Sequence, residues 1–466
     1  MPGRGTDKTI FRVALPVFLF LFLSFLPKAR SAAPPGQSPG LVQNPAGGQK
    51  GHAEAGAPQP LELNDLINEA MAKNPQLAAY GFLVSAQRHR VPQVKSLPDP
   101  MVAVGYQNEG WDRYSYGDTI MSQWMFSASQ TFPYPGKLGL KGQIAGKEAQ
   151  YAGESYEDLR LKIARQVKDL YFDLLLYYKD LDIIRQRAGL YTQLEKAALA
   201  RYSAGLAPQE EVILAQTEKY TLLEKKEKIE QKITATDAGL DSVLGRPAGS
   251  PLGRPAETGY MLDASSAAPL VGAAISGSPR IKAQQKLVEG ARAGVALARK
   301  QYYPDFTVTG GVDKKGGPYK DDWSLVTAVN VPLYYRTKQR EGVLEAQALL
   351  RKAKADLEAG KLSIASDVEG FFSVAQSAGN LMDLYRKGLI PKTYQDFEAA
   401  LSGYVAGNVT ALTAINRLKS LLDYEFAYWQ QYTGRQKAIA GIEALTGKTA
   451  YITEGPAMRG GQHARK

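Results

Sequence analysis

Trp124–Gly139 reads WMFSASQTFPYPGKLG. Trp124, Phe126, Ala128 and Phe132 alternate with Met125, Ser127, Ser129 and Thr131. This period of two gives a strand one apolar and one polar face. Pro133, Pro135 and Gly136 then end the strand, because proline cannot donate to a ladder and glycine permits a sharp redirection. About two hundred residues later the chain repeats the sequence of events. Leu325, Thr327, Val329, Val331 and Leu333 alternate, Pro332 interrupts, and Arg336-Thr337-Lys338 leads into a second helical run. A strand-to-helix corner used twice points to a duplicated unit.

Each corner is preceded by a hairpin. Strands are expected over Met101 to Gln107 and about Ile120 to Phe132, joined by a polar, aromatic and glycine-bearing loop. Their counterparts are Phe306 to Val312 and Trp323 to Leu333, around a polar loop from Asp313 to Asp322. After the first corner the period becomes helical. Ile163, Leu170, Tyr177, Ile184 and Tyr191 recur every seven residues, with Val167, Leu174, Leu181 and Ala188 four behind. This coiled-coil stripe predicts a helix packed along others, on the order of 90 Å long at 1.5 Å per residue. Gly205 and Pro208 break it, and a partner helix returns through Val212, Leu222, Ile229, Ile233, Leu240 and Val243. In the second copy Ile364, Val368, Phe371 and Ala375 carry the stripe. Tyr404-Val405-Ala406-Gly407 lies 202 residues after Tyr202–Gly205, and Leu445-Thr446-Gly447 lies 202 residues after Val243-Leu244-Gly245. A constant offset at two marks establishes the repeat.

The ends read differently. Lys8 and Arg12 precede an apolar run, Val13 to Leu26, so 1–31 is expected to be a secretory signal. Residues 32–60 are a Pro/Gly/Ala-rich leader expected to be disordered. The first repeat is assigned to 61–245, with Asn64 as a helix N-cap, a connector to 246–277, the second repeat to 278–447, and a basic tail to 448–466.

Composition narrows the function. Formal charge is +11, but 1–31 alone hold five Lys/Arg against one Asp, and elsewhere the charges interleave along helix faces. Nucleic acid is therefore not an expected partner. Without cysteine there are no disulfides or thiolate metal sites. His52, His89 and His463 are scattered, the Gly310-Gly311 and Gly316-Gly317 pairs lack a phosphate-loop ending, and no nucleophile sits beside a base. No cofactor, metal site or enzymatic activity is expected.

No apolar stretch after the leader approaches the roughly twenty residues of a membrane helix. Any membrane crossing must therefore use strands. Four strands cannot close a barrel, and open edges in lipid leave backbone groups unpaired at several kcal/mol each. Copies around an axis solve that problem, and they also bury the stripes of the long helices.

The paired hairpins and corners, the Tyr-x-x-Gly turns and the closing Val-Leu-Gly and Leu-Thr-Gly resemble the TolC-type outer-membrane efflux proteins. The corner Phe132-Pro133-Tyr134-Pro135-Gly136-Lys137 is similar to that of the branch serving cobalt–zinc–cadmium and copper–silver pumps. The fold class the resemblance implies is mainly α with a transmembrane β part: a homotrimer whose 12-stranded β-barrel in outer-membrane lipid continues into a 12-helix α-barrel. It implies a passive exit duct; the metal-pump branch would make its cargo heavy-metal cations, while the sequence itself leaves metal, drug and secreted protein open. Its implied partners are a periplasmic adaptor (membrane fusion protein) and an inner-membrane efflux pump of the RND type.

In that reading Tyr202, Gly205, Tyr404 and Gly407 sit at the periplasmic tip where partners dock. Thr413 and Asn416 stand where the family often carries acids, and Glu210 and Glu211 are the acids that could charge the mouth or simply suit a helix dipole. Pro133, Pro135, Gly136 and Pro332 make the corners. A periplasmic coiled-coil adaptor or scaffold without a channel is the competing reading, and it leaves the strand pairs and corners unexplained.

Overall fold

The structure is a computed structural model that describes residues 60–447 and the backbone of 452–454. The expected signal and nearly all of the leader lie outside the described residues. The chain opens with α1 (Leu63–Lys73) and α2 (Pro75–Lys95), separated at Asn74, whose side chain accepts from the amides of Gln76 and Leu77. Glu62, not Asn64, is the residue preceding α1. The sequence pattern missed this because Asn is a common cap, whereas here the buried Leu63 already belongs to the helix.

Two strands follow, β1 (Met101–Gln107) and β2 (Gln123–Phe132). The second begins three residues later than Ile120, which lies in the turn. Then comes α3 (Lys137–Ser203), 67 residues long and so about 100 Å. α4 (Gln209–Leu244) returns beside it. Ile163, Val167, Leu174, Leu181, Ile184 and Tyr191 are all buried, as the heptad stripe required.

The 246–277 stretch is not a bare linker. It contains β3 (Tyr260–Leu262) and α5 (Ala268–Gly277). β3 pairs antiparallel with β6 (Ile452–Glu454), so the start of the basic tail also has a place in the fold. Composition hid both, because three-residue strands depend on side-chain fastening. Gln436 Oε1 accepts from the Tyr260 amide at 2.6 Å, and Tyr432 Oη donates to the Thr258 carbonyl at 2.9 Å.

The second repeat comprises α6 (Pro279–Lys300), β4 (Asp305–Lys315), β5 (Asp322–Asn330), α7 (Arg340–Leu384), α8 (Ile390–Val405) and α9 (Ala411–Thr446). The strands reach further into the expected loop and stop before Pro332. Five-residue π turns at Tyr335–Gln339 and Tyr385–Leu389 open α7 and separate it from α8.

The strands form a sheet in the order β1-β2-β4-β5. Register puts Val102 opposite Ala128, Val104 opposite Phe126, Phe126 opposite Val312, and Phe306 opposite Val329 on one apolar face. Ser127, Ser129, Thr131, Thr307 and Thr309 share the other. Among the described residues nothing packs on the apolar face, where Val102, Val104, Phe126 and Val312 are exposed, and every residue of β5 is exposed.

The helices continue the sheet in the same order: α2 against α3, α3 against α6, α6 against α7. Further from the sheet, α4 packs on α3, α3 on α9, and α9 on α7 and α8. β1, α2 and α4 lie on one flank and β5, α7 and α8 on the other, while α1 packs against α3 and α4, and α5 against α7 and α9. No helix among the described residues is long and apolar enough to cross a membrane.

Candidate functional site: the hairpin tips and the strand–helix corners

The two tips are built alike because the two Tyr-x-x-Gly sequences impose the same helix ending. Gly205 N donates to Tyr202 O at 2.9 Å and Leu206 N to Arg201 O at 2.8 Å; Gly407 N donates to Tyr404 O at 3.0 Å and Asn408 N to Gly403 O at 2.8 Å. Both glycines have positive φ, +68° and +85°, the left-handed cap that L side chains resist.

The equivalent tyrosines behave differently. Tyr202 is exposed, whereas Tyr404 is fully buried against the first repeat. Tyr404 Oη donates to Glu211 Oε2 at 2.9 Å. Arg201 Nη1 donates to the Tyr404 carbonyl at 2.8 Å, Nη2 reaches the Leu206 carbonyl at 3.2 Å, and the guanidinium lies 5.0 Å from the Tyr404 ring centroid. Burial, and then the neighbouring Glu211 carboxylate, push the Tyr404 hydroxyl up to about 12. It therefore stays protonated and donates. Arg201 escaped the sequence reading, since its only local signal was a basic residue in the last turn of a helix.

Glu210 remains exposed in the first turn of α4, while Glu211 is committed to Tyr404. Thr413 belongs to the cap of α9: its amide donates to Thr410 Oγ1 at 3.3 Å. Asn416 is exposed one turn on. Leu199, Leu206, Val405 and Leu412 leave apolar surface around the tips.

The first corner is locked to the second repeat. Pro133 and Pro135 flank Tyr134, whose ring stacks on Tyr303 at 4.5 Å and whose amide donates to Asp305 Oδ1 at 2.7 Å. Gly136 precedes α3 and Lys137 opens it. Lys137 Nζ, 4% exposed as a residue, bonds Asp305 Oδ1 at 2.8 Å and the Tyr303 carbonyl at 2.9 Å. Pro332 sits at the second corner and lines, with Lys137, Tyr303, Asn330 and Tyr334, a recess of about 470 Å³. No group of three or more His, Cys, Asp or Glu among the described residues could hold a metal ion.

An amphipathic sheet with both edges unpaired, running into long helices whose far ends are capped and cross-linked, defines a wall segment of an outer-membrane channel. The chain belongs to the outer membrane efflux protein family, whose pattern it matches over residues 66–246 and 270–448. It is similar to the outer membrane protein TolC of Vibrio cholerae, 22% identical over 376 residues, covering 78% of this chain and 85% of that one. It is also similar to the cobalt-zinc-cadmium resistance protein CzcC of Cupriavidus metallidurans, 21% identical over 398 residues, covering 84% and 90%. Among solved structures, the outer membrane protein VceC of Vibrio cholerae superposes with a TM-score of 0.70 at 18% identity, over 83% of this chain and 96% of that one. The family is one of channels and not of enzymes, and its place is the outer membrane of a Gram-negative cell, reaching into the periplasm.

Proposed function

We propose that three copies of this chain close a 12-stranded barrel and 12-helix tunnel that serves as the exit duct of a tripartite efflux system. The observation that carries the reading is the sheet with two open edges. In lipid each edge must meet another backbone, and β5 of one copy beside β1 of the next closes a ring head to tail.

The duct is passive. Its polar sheet face is lined by Ser and Thr, which suits conduction better than capture. Cargo arrives from an inner-membrane pump of the RND type through a periplasmic adaptor docking at the tips, where Leu206 and Val405 offer apolar surface beside the exposed Glu210. Heavy-metal cations are the cargo favoured by similarity to a protein named for cobalt, zinc and cadmium resistance.

The test is native mass in mild detergent after extraction from outer membranes. A mass of three chains supports ring closure, whereas a monomer soluble without detergent removes the duct reading. For cargo, the chain is expressed with a metal-exporting RND pump and its adaptor in cells lacking their own duct. Restored zinc and cadmium tolerance supports metal efflux, and restored drug tolerance alone reassigns it.

A further inference from the structure

The first corner is tied to the start of β4, whereas the second corner has no such tie within the chain. Lys137 Nζ and the Tyr134 amide both bond Asp305 Oδ1, at 2.8 and 2.7 Å, and the Tyr134 and Tyr303 rings stack. Counted from the corner prolines Pro133 and Pro332, Leu333 stands where Tyr134 does and Arg336 where Lys137 does. Counted from Pro98 and Pro304, Leu97 stands for Tyr303 and Asp99 for Asp305. The four counterparts keep the chemistry: a cation with a carboxylate, and one apolar side chain with another. All four are exposed. Among the described residues Arg336 meets only the ring of its neighbour Tyr335, at 5.8 Å, and Asp99 has no cationic partner. The two lie at opposite edges of the sheet, beside β5 and β1.

Strand register supports the same correspondence. Pro98 precedes Pro304 by 206 positions, and Pro133 precedes Pro332 by 199. Shifted by those amounts, Met101 opposite Ser129 in the first hairpin becomes Thr307 opposite Ala328 in the second, which is the pairing present. In β2 against β4, Phe126 stands opposite Val312 and Gln130 opposite Val308. The same shifts turn these into Leu325 opposite Tyr106 and Val329 opposite Val102, both on the apolar face. The last rung is then Asn330 opposite Met101, where β5 ends and β1 begins. One step on stands Pro100, which has no N–H to extend the ladder.

We propose that Asp99 of the next copy completes the second corner, pairing with Arg336 as Asp305 pairs with Lys137, in a seam that sets Val329 opposite that copy's Val102. Leu97 of the next copy packs on Leu333 in the place of the Tyr134–Tyr303 stack. The helices below carry the same asymmetry. Ile415 and Leu422 of α9 are buried among side chains of the first repeat, whereas Ile213 and Tyr220 of α4, 202 positions earlier, are exposed. A second copy is the occupant because it alone brings the carboxylate, the leucine and the apolar strand at the spacing the first corner uses. The inference rests on the reading of copies joined in a ring around a duct.

The chain has no cysteine, so paired substitutions introduce its only thiols. Val102→Cys with Val329→Cys, oxidised in outer membranes, should join chains into a three-chain species on a denaturing gel, since directly opposed Cβ atoms lie about 4.5–5.5 Å apart. Within one chain the two positions stand three strand spacings apart, about 14 Å, too far for a disulfide. Tyr106→Cys with Val329→Cys is out of register and should leave single chains. Equal linking of both pairs, or linking of the second alone, overturns the register. For the ion pair, Asp99→Arg should lower the assembled fraction about tenfold by setting like charges together. Adding Arg336→Asp should restore it to within about twofold of the wild type. An unchanged fraction in Asp99→Arg, or an exchange that does not recover, overturns the contact. A native mass of three chains without the 102–329 link removes this seam and leaves the duct, whereas a native mass of one chain removes the duct reading and the seam with it.

Discussion

Tyr404 Oη, at the end of the second-repeat hairpin, donates to Glu211 Oε2 in the first turn of the first-repeat return helix at 2.9 Å. The two residues lie 193 positions apart in the chain. Their bond ties one hairpin to the other at the end furthest from the sheet, beside the Arg201 contact with the Tyr404 carbonyl and the apolar cluster of Leu194, Ala198, Val212 and Ala215 against Ala400, Tyr404 and Ile415.

Tyr404→Phe keeps the ring and its burial but removes the donor. A lost hydrogen bond to a charged acceptor is worth about 1.5–3 kcal/mol, and Glu211 can recover part of that from water. On the proposed reading of three copies around a duct, the tip should open more often, by about tenfold, with assembly unchanged. Single-channel open probability reads this directly, and an unchanged value assigns the contact to packing alone.

The two tip glycines should respond unequally to alanine. Each substitution forces a left-handed residue, costing about 1–2 kcal/mol. A Cβ at Gly205 meets nothing within 4 Å, whereas at Gly407 it stands 3.1 Å from Arg201 Nη1. Gly407→Ala should therefore disturb Arg201 as well and impair transport more than Gly205→Ala. Dose–response curves for metal tolerance in cells carrying each variant test the ranking, and equal curves contradict it.

At the corner, Asp305→Ala leaves the Lys137 ammonium without its carboxylate, although the Tyr303 carbonyl remains. Breaking a buried pair costs about 3–5 kcal/mol, and the partial exposure of Asp305 lowers this to about 1–3 kcal/mol. The double variant Lys137→Met with Asp305→Leu removes both charges and should be more stable than Asp305→Ala. Thermal melting of the detergent-extracted protein ranks the three.

A pH effect is expected along the tunnel helices. Burial pushes the Asp180 carboxyl up to about 7, against a weaker pull from the Lys232 ammonium, and its Oδ1 is buried without a hydrogen-bond partner. A carboxyl raised in the folded state binds its proton more tightly there than when unfolded, so stability falls as pH rises from about 4 to about 7 and stays lower above. Asp180→Asn should raise stability at pH 8 by about 1–3 kcal/mol and leave it nearly unchanged at pH 4. Melting curves at the two pH values decide, and an equal gain at both would remove the carboxyl as its source.

Periodicity made most of the fold legible. The alternation through Trp124–Phe132 and the heptads from Ile163 to Tyr191 are local signals, and they gave the strands and the long hairpins. The Tyr-x-x-Gly turns were legible for the same reason, since a glycine with positive φ is a demand of the backbone alone.

What the sequence could not decide were relationships between segments far apart in the chain. Local pattern carries no information on which side chains meet across such a separation. Tyr202 and Tyr404 occupy equivalent places, yet only Tyr404 faces Arg201 and Glu211. Lys137 and Asp305 read as ordinary surface charges until the first corner closes over the second. β3 and β6 are too short to announce themselves and form because Tyr432 and Gln436 of α9 hold β3 and the segment before it in place.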